Sequence, residues 1–283
     1  MFFALFPLSG GFSYSCHGNV TYYDECNRMC SCTGGKIRPC KRVRHDFGSM
    51  NKEERIRFMK AFKHIASKEP FKTEYQRLVF KYNKFFHCVN KPKFFLPWHR
   101  AFLLYLENLL RQVDCSITLP YLDWTKKSGN LWDALYRMDV LSKNESAGSE
   151  RVMNRHKKQT CLRRHFHGIP PDSETVKALL SFPLHNFAEF ELILRVIFHH
   201  SVLCHGIGGH IFSNEAALEF VLLTAFVDKL WGRWQSSSNL HRDTGFPGVS
   251  NKLPGFYQRY VGEVQRLEKQ PGCVKIIYSK STE

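Results

Sequence analysis

An apolar stripe with helical spacing follows His99 and constrains the fold more than any other feature of the chain. Its members stand 3, 4, 7, 11 and 14 residues after that histidine: Phe102, Leu103, Leu106, Leu110 and Val113. These offsets follow the 3.6-residue period of an α-helix, so His99 shares one face with the stripe. The pattern predicts a buried helix that ends near Asp114 and carries an imidazole on its core face.

Other helical patterns predict a mainly α chain. Asn51 and Glu54 form a capping-box pattern at the start of a helix over residues 53–66, which Pro70 would end. Further patterns cover residues 73–86, 175–180, 187–204 and 215–235. No run of about 18 uncharged apolar residues occurs, so we expect no membrane-spanning helix.

Three segments are expected along the chain. They are a cysteine-rich, loop-rich segment at 1–47, a helical domain at 48–235 and a C-terminal extension at 236–283, which its Gly and Pro residues predict to be extended over the surface. Residues 125–175 are polar and weakly patterned, and they predict a long loop or a partly disordered insertion.

Cysteine usage favours an oxidising compartment. Five of the ten cysteines lie in the first 40 residues: Cys16, Cys26, Cys30, Cys32 and Cys40. Dense cysteine in a segment with few core-forming residues is typical of disulfides in secreted proteins. A zinc site is the alternative, but the spacing lacks paired C-x2-C halves. Asn19 and Asn144 begin glycosylation triplets, so we expect a secreted, extracellular protein.

The charge balance favours acidic partners. The formal net charge is +16, from 41 Lys and Arg against 25 Asp and Glu. A surface this basic suits anionic glycans or acidic extracellular matrix, and the alternative is a solvated surface without a specific partner. No nucleic-acid-binding motif is present, so nucleic acid is not expected as a partner.

The fourteen histidines do not by themselves define a site. A metal centre needs several imidazoles that converge, and a lone histidine on an apolar helix face is more often a core residue. Three places have suitable candidates: His99; the group His199, His200, His205 and His210; and the pair His165 and His167, which is expected to be solvated. The residues alone therefore indicate at most a helix bundle that contains histidines.

Residues 94–107 (FFLPWHRAFLLYLE) resemble the first copper-binding signature of tyrosinases and hemocyanins. Residues 113–124 resemble the PYWDW stretch that follows it, with Leu122 in place of a Trp. Residues 207–210 and 225–231 resemble the second copper region. The resemblance implies the four-helix bundle of type-3 copper proteins, with two copper ions, three histidines for each, and oxidation of phenols to quinones.

In the first copper region the resemblance assigns one of the three ligands to a histidine. His99 matches the third ligand, the second falls at Asn90, and the first falls at about Tyr82. His87 lies three residues before Asn90 and is a candidate substitute if a loop swings it inward.

In the second copper region His199 matches the first ligand, but the position four residues later is Leu203. His205 is a candidate substitute there if the helix ends before it. The third ligand falls at Leu223 and Thr224. Two of the six ligand positions are therefore histidines.

Three functions remain open at this point. The first is a secreted pseudoenzyme or matrix-binding protein with a degenerate dicopper site. The second is an active polyphenol oxidase that acts on phenolic substrates with His87, His205 and His210 as substitute ligands. The third is a mononuclear zinc or copper site of His199, His205 and Cys204, although Cys204 fits a disulfide or a buried position better.

Overall fold

The computed structural model describes residues 22–23, 29–30, 32–33, 36–37, 40–126, 151–153, 159–161, 171–183, 187–199, 218–244, 248–272 and 274–279. The helices in these residues are α1 (Lys52–Ser67), α2 (Phe71–Val89), α3 (Phe95–Val113), α4 (Ser173–Leu180), α5 (Phe187–Val196), α6 (Leu218–Gln235), α7 (Asn239–Thr244) and α8 (Val261–Val264). The mainly α fold expected from the sequence is confirmed.

The predicted start of α1 is confirmed in detail. The side chain of Asn51 accepts a hydrogen bond from the Glu54 amide at 2.8 Å, and the Glu54 carboxylate accepts one from the Asn51 amide at 3.0 Å. This reciprocal pair satisfies two amides that an open helix end would leave without partners. Phe58 and Ile65 then bury the inner face of the helix.

Helices α3 and α6 form the centre of the core, and α1 and α2 pack against α3. In α6 every side chain except Arg233 is buried, and in α3 the stripe from Phe102 to Leu110 is buried as predicted. The capping backbone bond from Asp114 to Leu110 ends α3 at the predicted place. His99 and Arg100 are therefore held on a buried, regular helix.

The short strands of the described residues form two-stranded sheets. Strand β5 (Cys40–Arg44) runs parallel to β8 (Val274–Tyr278), with Cys40 opposite Val274 and Arg44 opposite Tyr278. The other pairs are antiparallel: β1 (Tyr22–Tyr23) with β2 (Met29–Cys30), β3 (Cys32–Thr33) with β4 (Lys36–Ile37), and β6 (Arg151–Met153) with β7 (Gln159–Cys161). The alternation of strand side chains turns Arg42 and Arg44 of β5 inward.

The expectation that the chain after 236 is extended over the surface was wrong. Leu253, Phe256, Val261 and Val264 are buried in the main core, and β8 completes a sheet with β5. The apolar residues of this segment are scattered and follow neither a helical nor a strand period, so the sequence does not predict their burial. In the structure they pack into the core, and α8 contacts α3. The predicted boundaries at 47 and 235 thus separate segments that touch.

Two further expectations need correction. The helix predicted over 187–204 ends at Val196 and is followed by a π-helical turn at 197–199, while residues 200–217 lie outside the described residues. Within the predicted loop at 125–175, the described residues include the antiparallel pair β6–β7 and the start of α4, which Asp172 caps. No helix in the described ranges is long and apolar enough to cross a membrane.

Candidate metal centre

His99 lies in the first turns of α3 and is almost completely buried. Its Nδ1 is 2.6 Å from the Phe95 carbonyl oxygen, which orients the ring. Its Nε2 has no hydrogen-bond partner among the residues that the structure describes. A buried nitrogen without a partner is rare in native cores, so this atom marks a place where a ligand or metal fits chemically.

His199 lies in the π-helical turn that follows α5, and its Nε2 is also buried without a partner in the described part of the chain. The His199 ring centroid is 5.5 Å from Phe95 and 5.4 Å from Phe198. The His99 ring touches the same two phenyl rings, at 4.9 Å and 6.2 Å. The structure therefore brings together the two histidines that the resemblance matched to copper ligands.

Both imidazoles are held in the neutral form. Burial lowers the pKa of His99 to about 3. The hydrogen bond to the Phe95 carbonyl raises this pKa, and the nearby His199 lowers it further. Burial, with a smaller contribution from Arg195, lowers the pKa of His199 to about 4. Neutral imidazole is the form that ligates metals, so these two side chains are suited to that role at neutral pH.

Aromatic rings surround His99 where the resemblance places other ligands. Tyr82 is fully buried, and its ring centroid is 5.8 Å from His99 and 5.2 Å from Phe220. Phe220, on α6, is itself 6.3 Å from His99. The position matched to the first copper ligand thus holds a phenol ring that packs in the core.

The second matched position does not present an imidazole either. Asn90 caps the end of α2, where its Nδ2 donates to the Phe86 carbonyl oxygen at 2.9 Å. His87 is exposed, with its ring 5.5 Å from Phe86. Because α2 continues to Val89, no loop swings His87 inward, and the structure does not bring it to His99.

The second copper region is only partly described. Leu203, Cys204, His205 and His210 lie outside the described residues, as do the pair His165 and His167. At the third matched position, Leu223 and Thr224 are buried on α6, and the Thr224 hydroxyl has no partner in the described ranges. Within those ranges no group of three or more His, Cys, Asp and Glu is arranged to hold a metal.

A charged cluster lies beyond this histidine end, along the same helices. Arg44 of β5 donates from Nε to the Glu107 carboxylate at 3.1 Å and from Nη1 to Asp228 at 3.3 Å. Arg100 also donates to Asp228, and its guanidinium carbon is 3.6 Å from the Trp231 ring centroid. These contacts tie α3, α6 and the β5–β8 sheet into one buried network.

Glu107 shows the balance of forces in the charged cluster. Burial would raise the pKa of its carboxyl, but Arg44 and Arg42, with the Arg44 and Leu119 hydrogen bonds, bring the pKa down to about 2. Burial raises the pKa of the Tyr278 hydroxyl, which donates to Asp228 at 2.6 Å. Glu107 closes the sequence motif at 94–107, but nothing in the sequence predicts its pairing with Arg44 or the pairing of Tyr278 with Asp228, because these contacts join distant parts of the chain.

Comparison with known proteins identifies this arrangement. Residues 56–188 match the family described as the common central domain of tyrosinase. The chain is 27% identical over 231 residues to a tyrosinase from Streptomyces lincolnensis, which covers 68% of this chain and 82% of that protein. The chain belongs to the tyrosinase family of type-3 copper proteins. The recognition made from residues 94–107 is therefore confirmed.

Other members of the family extend the comparison. Hemocyanin 1 from Megathura crenulata is 24% identical over 178 residues, which is 56% of this chain and 5% of that protein. A mutant polyphenol oxidase from Thermothelomyces thermophila has a similar fold, with a TM-score of 0.66 and 17% identity over 88% of this chain and 90% of that one. Proteins of this family hold two coppers, and His99 and His199 are the described residues of this chain that the resemblance matches to their ligands.

Proposed function

We propose that this chain is a tyrosinase-family protein with a degenerate dicopper site, which acts outside the cell as a binding or matrix protein rather than as a phenol oxidase. The observation that carries the proposal is the packing of the Tyr82 and Phe220 rings around His99. A phenol ring in a core contact replaces the imidazole that a first copper ligand requires. Six histidine ligands hold the two coppers of the family, and one imidazole for each copper leaves too few.

The extracellular part of the proposal rests on cysteine chemistry and charge. Cys40 is disulfide-bonded, and disulfides persist in oxidising compartments. The net charge of +16 favours acidic polymers such as those of an extracellular matrix. Binding of this kind needs the stable scaffold of the family but not its copper.

An oxygen-uptake assay tests the proposal. Purified protein is incubated with excess copper, freed of loosely bound metal and mixed with a catechol. We expect no more oxygen uptake than His99→Ala gives under the same conditions. Uptake that is present in the wild type and lost in both His99→Ala and His199→Ala would overturn the proposal.

One observation favours a second candidate function. The Nε2 atoms of His99 and His199 are both buried without partners in the described part of the chain, and a metal would satisfy them. An active polyphenol oxidase would then need further ligands from His205 and His210. Under this alternative, replacing His205 or His210 by Ala abolishes oxygen uptake, whereas under the leading proposal there is no uptake to lose.

A further inference from the structure

One surface combines exposed aromatic rings with lysines. We define the aromatic–lysine face by Phe80, Lys81, Lys84 and Phe85 of α2, together with Tyr257 of the turn before α8. The Phe80 side chain is 58% exposed and that of Tyr257 is 86% exposed. These are the two most exposed Phe, Tyr or Trp side chains among the described residues, and the Phe80 ring lies beside Lys84.

Cation–π contacts hold the two lysines in place on this face. The Lys84 Nζ is 6.0 Å from the centroid of Phe80 and 5.7 Å from that of Phe85. The Lys81 Nζ is 5.2 Å from the centroid of Phe256. Neither lysine forms an ion pair with a carboxylate in the described ranges. Both ammonium groups are therefore positioned by rings. Lys84 is exposed, whereas Lys81 is half-buried and burial lowers its pKa, so Lys84 is the more open of the two to an external anion.

A close approach between two elements makes the face continuous. Gly255 has a φ of +75°, and a Cβ atom there would lie 2.8 Å from the Phe85 ring. Glycine alone thus allows the turn to pack on α2 in this conformation. The same turn carries Tyr257 two residues later, so the exposed tyrosine follows directly after the point where the turn packs on Lys81 and Phe85 of α2.

The charge around the face has one sign. Residues 71–93 contain six Lys and Arg against a single acidic residue, Glu74, and that carboxylate pairs with Arg77. The cations are Lys72, Arg77, Lys81, Lys84, Lys91 and Lys93. A partner for this surface must therefore be anionic.

We propose that the aromatic–lysine face binds an acidic polysaccharide. Its sulfate or carboxylate groups would meet Lys81 and Lys84, and the flat faces of its sugar rings would stack on Phe80 and Tyr257. A single-stranded nucleic acid also suits aromatic rings with cations, but the Cys40 disulfide favours an oxidising compartment, where acidic glycans are the abundant polyanions. The inference rests on the binding role proposed above and names its partner and surface.

Heparin binding by the full chain tests this inference at about 0.15 M salt, where contacts beyond about 8 Å are screened. The variants are Lys81→Gln with Lys84→Gln, and Phe80→Ser with Tyr257→Ser. The matched control is Lys60→Gln with Lys68→Gln, which removes the same charge from an exposed position of α1 and from the exposed residue that follows the helix. We expect each face variant to lose roughly tenfold or more in affinity and the control less than about threefold, because long-range charge alone is weak at this salt.

The inference would be overturned if the wild type did not bind heparin, if the control lost as much heparin affinity as the lysine pair, or if the aromatic pair lost none. It would also be overturned if a single-stranded RNA bound as tightly as heparin and the same variants weakened that binding. Circular dichroism and Tm confirm that each variant is folded. Copper content, measured on the same preparations, is independent of heparin affinity. A copper-loaded chain that binds heparin through this face would refute the degenerate site alone, and a copper-free chain that fails to bind would refute the glycan site alone.

Discussion

Adjacent residues of α3 belong to two polar clusters with opposite character. Arg100 joins a buried network in which Arg44, Glu107 and Asp228 are paired at hydrogen-bond distances. His99 faces aromatic rings, and its Nε2 has no partner in the described part of the chain. Paired buried charges hold elements in register, although Arg100 Nη2 also has no partner in the described residues. The difference is that Arg100 is anchored through its other nitrogens to two residues of α6, whereas the Nε2 of His99 joins no second element in the described ranges.

The contrast between the charged cluster and the histidine end shows which buried polar groups connect the elements of the fold. The charged cluster connects β5, α3, α6 and β8, so any loss there would disturb the whole fold. At the histidine end the surrounding contacts are aromatic and apolar, and the matched positions at Tyr82 and Thr224 hold other side chains. Under the proposed function the scaffold is kept without the metal chemistry, and the predictions below separate the two.

The largest effect is expected at Glu107. Glu107→Gln removes the carboxylate that pairs with both arginines of β5 and leaves the buried Arg44 with Asp228 as its remaining carboxylate, which costs about 3–5 kcal/mol of unfolding free energy. Glu74→Gln is the control, because Glu74 pairs with Arg77 in an exposed ion pair worth at most about 1 kcal/mol. Urea unfolding of both variants measures the two values. Similar losses in the two variants would show that the charged cluster does not hold the fold.

The same carboxylate predicts an acid transition. The pKa of Glu107 is about 2 in the folded chain and about 4.3 in the unfolded chain. Its contribution to the unfolding free energy is therefore complete above the unfolded pKa and is lost as the pH falls through the folded pKa. The contribution amounts to about 3 kcal/mol between roughly pH 4.5 and 2. Unfolding free energies measured across this window should fall less steeply in Glu107→Gln, and an unchanged slope would contradict the assignment.

A smaller gain is expected at Thr224. Its buried hydroxyl has no partner in the described ranges, so Thr224→Val removes an unsatisfied group and keeps the shape of the side chain. We expect about 1 kcal/mol of added unfolding free energy, since leaving a buried polar group unpaired costs about that much or more. Thermal unfolding measures the change. A lower Tm would indicate that the hydroxyl has a partner after all.

The smallest effect is expected at His99. His99→Leu exchanges a neutral, partly satisfied imidazole for an apolar side chain among phenyl rings, so the unfolding free energy should change by less than about 1 kcal/mol. Arg100→Leu, one residue away, leaves Asp228 with one cation fewer and should cost several times more. Equal losses in the two variants would place His99 in the structural framework and erase the contrast between the clusters.

Local signals in the sequence were sufficient for the helices that begin with a cap or bear a strong stripe. The Asn51–Glu54 box and the stripe after His99 act within a few turns, so α1 and α3 were predicted closely. Nothing local reveals that Arg44 meets Tyr278 across 234 residues, or that α2 runs on to Val89 and leaves His87 in solvent. Tertiary packing decides these features, and periodicity does not record it.

Copper content is the most direct test of the central claim that the chain keeps the tyrosinase scaffold without its dicopper centre. Folded protein is loaded with excess copper, freed of loosely bound metal and measured by elemental analysis, with Tyr82→His plus Asn90→His as a partly restored comparison. We expect close to zero copper in the wild type and more in the restored variant. Roughly two coppers in the wild type, lost in His99→Ala, would contradict the proposed degenerate site.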